Sequence, residues 1–197
     1  MNTDYFIKRF SDIAVSKYKE TKILPSLVIA QAILESGYGT SELALNACNY
    51  FGLNHYNDSV TSKYPIYTML APQQSTNGWV YNKENFCKFN SIEECCECLF
   101  NWYNRDKYKE LHGIRDYQQA CKFVQDKGYA TDSSYSVKLI NIILKHRLYE
   151  YDDIVLSEKG YYVQIGYFEN YEYAVKQRDK AIELGFTDCW IKEGDKI

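Results

Sequence analysis

Pro25 to Gly52 reads PSLVIAQAILESGYGTSELALNACNYFG, and every residue from Leu27 to Leu34 except Gln31 is apolar. A helix that is apolar on all faces belongs in the middle of a domain. Pro25 suits its first turn, because the ring fixes φ and the missing N–H would have had no intrahelical partner there. Gly37 can end it. Glu35 therefore stands at the C-terminal end of a buried helix, where helix dipole and desolvation both disfavour its negative charge and raise its pKa. A carboxyl group kept protonated near neutral pH is suited to donate a proton to a departing oxygen. The next residues, Ser36, Gly37, Tyr38 and Gly39, allow a sharp turn and leave space for a bulky ligand. Spacing and polarity alone also admit a plainer reading, a helix-terminal carboxylate facing water.

On the N-terminal side, Phe6, Phe10, Ile13, Ala14 and Tyr18 recur near helical spacing and predict an amphipathic opening helix over residues 4–18. From Asn54 to Phe89 the periodicity disappears. Pro65, Pro72, Asn77 and Gly78 punctuate short aromatic runs such as Trp79 to Tyr81, the pattern of loops and a β-hairpin. Ser91 and Glu94 then form a capping box ahead of Ile92, Cys95, Leu99, Trp102 and Tyr103. Asp116 with Gln119 repeats that spacing before Ala120, Phe123 and Val124, and Gly128 is placed to end the helix. A last long helix is predicted from Ser134 to Tyr149.

Residues 150–159, EYDDIVLSEK, are acidic and aperiodic and read as a linker. Beyond them, Tyr161 to Phe168 and Phe186 to Lys192 read as strands flanking a helix capped by Asn170 and ended by Gly185. The expected fold class is mainly α. A helical domain over 1–150 carries a small β-hairpin lobe, 151–159 is the linker, and 160–197 is a small α/β strand-helix-strand unit. A unit of about 38 residues is too small to be stable unaided, so it should dock on something or self-associate.

Composition narrows the function classes. The 197 residues are 46% hydrophobic, enough for one sizeable core, yet no stretch approaches the roughly 18 uninterrupted apolar residues of a membrane span. The opening MNTDYFIKRF is too polar for a secretion signal, which predicts synthesis in the cytoplasm and no membrane insertion. A net charge of -3 speaks against nucleic acid and for a neutral polymer as partner. Seven cysteines, an odd number without a secretion signal, read as reduced thiols. Cys95 and Cys98 lie one turn apart on an amphipathic helix and read as core packing. With His55, His112 and His146 scattered, neither a metal nor a cofactor is expected.

The run from Pro25 to Gly52 resembles the signature of the glycoside hydrolase family 73 glucosaminidases, which have a lysozyme-like helical fold. The resemblance makes Glu35 the catalytic acid. It also makes Asn49, Phe51 and Gly52 the family's cleft-shaping Asn-x-Phe-Gly element, with Gly37 and Tyr38 beside the substrate. FCKFNSIEECCECLFNWY, Phe86 to Tyr103, is similar to the family's Phe-x-x-Tyr-x-Ser helix entry. GYATDSSY, Gly128 to Tyr135, is similar to its Tyr-Ala-Thr-Asp-x-x-Tyr element, which implies Tyr129 near the scissile sugar and Tyr135 in substrate binding; ordinary aromatic packing is the alternative for both. The likeness covers about residues 5–149. Family members often carry a second Glu three residues before an Asn-Gly turn, and counting back from Asn77 gives Gln74. An amide cannot accept a proton at neutral pH. Three readings stay open: the substrate's own acetamido group attacks and Gln74 orients it, another carboxylate such as Glu84 is the base, or Gln74 leaves a catalytically silent wall-binding protein.

YYVQIGYF, Tyr161 to Phe168, with the helix after it and LGF at 184–186, resembles half of a SPOR repeat, a module that binds peptidoglycan glycans. Together the resemblances imply a peptidoglycan hydrolase that cuts the β-1,4 bond between N-acetylglucosamine and N-acetylmuramic acid. They point to a phage endolysin acting on the cell wall after release. A lytic transglycosylase or muramidase of the same fold is the nearest alternative.

Overall fold

In a computed structural model, which describes residues 2–75, 78–157, 166–186 and 189–194, the apolar run forms helix α2 (Pro25–Ser36). Every residue of α2 is buried except Leu34 and Glu35, which are partly so. The helices α1 (Thr3–Thr21), α5 (Tyr117–Asp126), α6 (Tyr135–Lys145) and α7 (Tyr149–Leu156) all pack on it. The apolar stripe of α1 supplies the buried Phe6, Phe10, Ala14 and Tyr18. Two further helices, α3 (Glu42–Ala47) and α4 (Ile92–Tyr103), and a 3₁₀ turn over Asp106–Leu111 complete this helical lobe. The caps form where the sequence puts them: Ser91 Oγ accepts the Glu94 N–H at 3.2 Å, and Asp116 Oδ1 accepts the Gln119 N–H at 2.8 Å. Cys95 and Cys98 are wholly buried in the core.

The second lobe is an antiparallel hairpin of β1 (Ile66–Ser75) and β2 (Gly78–Cys87), in register from Ile66 with Cys87 to Ser75 with Gly78. Its base is stitched to the segment after Gly52. The Cys87 N–H donates to the Leu53 carbonyl at 2.9 Å, the His55 N–H donates to the Asn85 carbonyl at 2.8 Å, and Asn54 bridges Phe86.

Two expectations are corrected. The long helix predicted from Ser134 to Tyr149 breaks after Lys145, where Arg147 takes a left-handed φ of 52° and the Leu148 N–H turns back to the Ile143 carbonyl at 2.9 Å. The expected linker is, over most of its acidic part, helix α7. It escaped detection because one of its acidic residues faces inward. Asp152 is 4% exposed and accepts from Ser26, from the N–H at 2.9 Å and from the hydroxyl at 2.5 Å. Leu24, at the N-cap of α2, has no side chain to do this, so α7 caps α2 from 126 positions away.

The chain divides into two compact units, Met1–Ser157 and Glu158–Ile197. In the second, α8 (Tyr171–Glu183) begins at Asn170, whose side chain accepts from the Glu172 N–H at 2.8 Å. It ends at Gly185, beyond which the Phe186 N–H returns to the Ala181 carbonyl at 3.1 Å. Of the strands expected on either side, residues 161–165, 187 and 188 lie outside the described residues. Gly166–Phe168 and Cys189–Lys192 form no strand, and Tyr167, Phe168 and Trp190 are exposed instead of packed on a pleated face.

Burial outweighs the two hydrogen bonds from Ser26 and lifts the Asp152 pKa to about 6. An unfolded aspartate loses its proton near pH 4, so the folded state holds that proton longer. Its contribution to stability is complete below about pH 4 and is lost as pH rises through 6. Replacing the carboxyl by an amide in Asp152→Asn should remove this dependence. Urea unfolding at pH 4 and pH 7 should show the variant gaining on wild type by roughly 2–3 kcal/mol over that interval; a gap independent of pH would refute the cap's titration.

Candidate active site

The turn that follows α2 is held in left-handed geometry by three successive residues. Gly37 has φ 55°, Tyr38 has φ 59° and Gly39 has φ 78°. At Gly39 a Cβ would lie 3.1 Å from the Phe6 ring and 3.3 Å from that of Tyr50, so only glycine lets the turn sit on α1. Tyr38 adopts the same region with a side chain, and that chain is anchored: its hydroxyl meets His146 Nε2 at 2.7 Å, and its ring stands edge-on to Phe6. The backbone then runs through α3, capped by Ser41, to Asn49–Gly52.

Asn49 is buried and spends its amide inside the protein. It donates to the Leu53 and Cys87 carbonyls, both at 2.9 Å, and accepts the Leu53 N–H at 3.0 Å. One side chain thus fastens the loop after Phe51 to the end of β2. The Phe51 ring enters the core perpendicular to Phe10, at 5.9 Å between centroids. These anchors bring Gly52 (φ 64°) against the end of α2, where a Cβ would lie 3.7 Å from Glu35 Oε2.

Glu35 has one hydrogen-bond partner among the described residues, Tyr135 of α6, whose hydroxyl donates to Oε1 at 2.7 Å. Burial raises the Glu35 pKa, and the Tyr135 bond opposes it without overcoming it. Tyr129 stacks on Tyr135 at 5.8 Å and donates its hydroxyl to the Phe51 carbonyl at 3.1 Å. Burial holds the phenols of Tyr103, Tyr129 and Tyr135 protonated, reinforced by the Glu35 charge, so all three serve as donors. The result is a half-buried carboxyl group without a cation, with one oxygen occupied and the other facing a glycine. Such a group is easier to protonate than an exposed carboxylate, and its Oε2 lies away from the Tyr135 bond.

The residues predicted from sequence thus fall into two groups. Glu35, Tyr135 and Gly52 meet directly, and Tyr129 and Phe51 back them. Gly37, Tyr38 and Asn49 shape the same place from behind, with the Tyr38 hydroxyl on His146 and the Asn49 amide in the interior. Gln74 pairs in the β1 backbone with Trp79, and its side chain, like Asn77, lies outside the described residues. Glu84 pairs with Met69, five positions nearer the hairpin base, roughly 17 Å of strand. Asn54 Nδ2, two residues beyond Gly52, donates to Glu84 Oε2 at 3.4 Å. Sequence reasoning missed the partnership of Tyr38 with His146 and the cap from Asp152. Neither leaves a local signal, since each joins residues more than a hundred positions apart. Among the described residues no group of three or more His, Cys, Asp or Glu side chains is arranged to hold a metal ion.

The chain is similar to several known proteins. A family model described as "Glucosaminidase: Mannosyl-glycoprotein endo-beta-N-acetylglucosaminidase" matches residues 11–148. The exo-glucosaminidase LytG of Bacillus subtilis is 35% identical over 164 residues, 79% of this chain and 55% of LytG. An autolysin of Enterococcus faecalis is 30% identical over 162 residues, 75% of this chain and 20% of the autolysin. The chain therefore spans about half the length of the first and a fifth of the second. The solved catalytic domain of the autolysin Auto from Listeria monocytogenes superposes with a TM-score of 0.64 at 31% identity, covering 76% of this chain and 86% of that domain.

The strut role of Asn49 is open to direct measurement. Asn49→Ala would remove three buried hydrogen bonds, two to carbonyls and one from the Leu53 N–H, and should cost roughly 3 kcal/mol in chemical denaturation. A loss below about 1 kcal/mol would mean that the loop is held by something else.

Proposed function

The chain belongs to the glucosaminidase family, and from that membership we propose that it is a peptidoglycan hydrolase that cuts the β-1,4 bond between N-acetylglucosamine and N-acetylmuramic acid, with Glu35 as general acid. The observation that carries this reading is the state of one carboxyl group: pKa raised by burial, Oε1 bonded by Tyr135, Oε2 turned to Gly52. Protonated Oε2 would transfer its proton to the glycosidic oxygen as the C1–O bond breaks and positive charge develops on the sugar ring. Gly52 has no side chain to obstruct a sugar approaching that oxygen. The proposed place of action is the cell wall.

Capture of the cationic sugar needs a second group. We favour attack by the substrate's own acetamido oxygen, because Gln74, at the position where the family resemblance leads one to look for a carboxylate, cannot take a proton from water. A second reading has a specific observation behind it: Glu84 is tied to Asn54, in the segment that begins at Gly52. If Glu84 activates water, Glu84→Gln should abolish turnover; under acetamido attack it should retain most of it.

We also propose that residues 158–197 hold the wall. Tyr171, Tyr173, Phe186 and Trp190 are exposed there, a set of rings suited to stacking on sugar faces, though self-association would use the same surface.

Glu35→Gln should lower release of fragments from purified peptidoglycan by about 10²–10⁴ while the fold stays intact. Retained lysis would reject the role of Glu35. Mass analysis of the wild-type digest should find reducing N-acetylglucosamine ends; anhydro-muramic ends would identify a transglycosylase instead. A chain ending at Ser157 should sediment less with walls yet turn over soluble fragments at the full rate, and unchanged sedimentation would remove the binding role from the tail.

A further inference from the structure

Gln31 is the one polar residue in the apolar run of α2, and it is wholly buried. It lies one helical turn before Glu35, on the same face. An amide in such a place is costly unless it is bonded at both ends, and this one is. The Tyr103 hydroxyl donates to Gln31 Oε1 at 2.6 Å, Gln31 Nε2 donates to the Tyr135 hydroxyl at 3.3 Å, and Tyr135 donates onward to Glu35 Oε1 at 2.7 Å.

The chemistry of the four groups gives this chain a direction. A phenol has one proton, and an amide NH₂ can only donate, so the Tyr135 hydroxyl must accept from Gln31 and its own proton is left for the carboxyl group. The amide oxygen is kept on the far side by the proton of Tyr103. Every proton in the series points toward Glu35. Oε1 is thereby committed as an acceptor, and the acidic proton is left to Oε2, the oxygen beside Gly52.

We propose that Gln31 is a positioning residue, which acts through Tyr135 to keep the Glu35 proton on the oxygen that meets the substrate. This rests on Glu35 being the general acid. The titratable groups facing Glu35 are the phenols of Tyr135 from α6, Tyr103 from α4 and Tyr129 from the segment after α5, all held protonated. His146 faces Tyr38 on the turn behind, and Asp152 meets Ser26 at the opposite end of α2. The direct contact with the Glu35 carboxyl is that of Tyr135, so the effect of Gln31 must pass through it.

The test is a set of pH–rate profiles on purified peptidoglycan. Tyr135→Phe removes the donor that steadies the Glu35 anion and should move the alkaline limb up by about one pH unit. Gln31→Met keeps the volume and removes both amide bonds. It should move the limb in the same direction by about half as much, lowering kcat about tenfold with KM close to wild type. Because Gln31 works through Tyr135, the double variant should lose no more than Tyr135→Phe alone. An unmoved limb in Gln31→Met, or losses that multiply in the double variant, would overturn the proposal. If Gln31→Met does not fold, Tyr103→Phe removes one hydroxyl from the far end of the chain; a small upward shift supports the proposal, and a limb coincident with wild type overturns it. Activity surviving in Glu35→Gln would instead overturn the hydrolase reading, whereas an inert Glu35→Gln beside an unmoved Gln31→Met limb defeats the positioning role alone.

Discussion

The structure depends on the burial of α2. A helix packed on all sides by α1, α5, α6 and α7 cannot leave its ends or its polar side chains to water, so each must find a partner inside the protein. At the N-terminus the partner is Asp152 of α7. In the middle Gln31 lies between two tyrosines. At the C-terminus Glu35 receives one hydroxyl and the edge of a glycine. The same desolvation that makes the first two contacts obligatory raises the pKa of the third.

The loop from Gly37 to Gly52 is shaped by that requirement. Left-handed residues at 37, 38, 39 and 52 bring the chain back over the helix end it has just left; Gly39 on Phe6 admits no side chain without crowding, and at Gly52, beside Glu35, the positive φ itself favours glycine. Asn49 then ties this return to the base of the hairpin. Among the described side chains the hairpin meets this loop at its base, where Leu53, Asn54 and His55 pair with β2 and Asn54 reaches Glu84.

Local rules made α1, α2, the caps at Ser91 and Asp116, and the hairpin legible in the sequence, since each follows from period, capping chemistry or turn residues within a dozen positions. Glu35 was a candidate on the same grounds, but spacing and polarity alone also admitted a carboxylate facing water, and the likeness of the run to a known family is what singled it out. The break at Arg147 and the helix nature of α7 were not legible, because the acidic run at 150–153 mimics a solvated linker until Ser26 is known to sit against Asp152. The division of labour between Tyr129 and Tyr135 was also beyond the sequence. Both belong to one motif and stack on each other, and only the fold reveals that one hydroxyl is committed to the Phe51 carbonyl while the other reaches the carboxyl group.

The two buried carboxyl groups of the helix frame share a sign. Burial raises the pKa of Asp152 at one end of α2 and of Glu35 at the other. Each therefore favours the folded state most while protonated and loses that contribution as pH rises. Asp132 shows the opposite sign: beside Lys138 its pKa falls to about 2, so it gains from ionisation. The protonation state that the proposed general-acid role requires of Glu35 is also the one in which α2 is held most firmly.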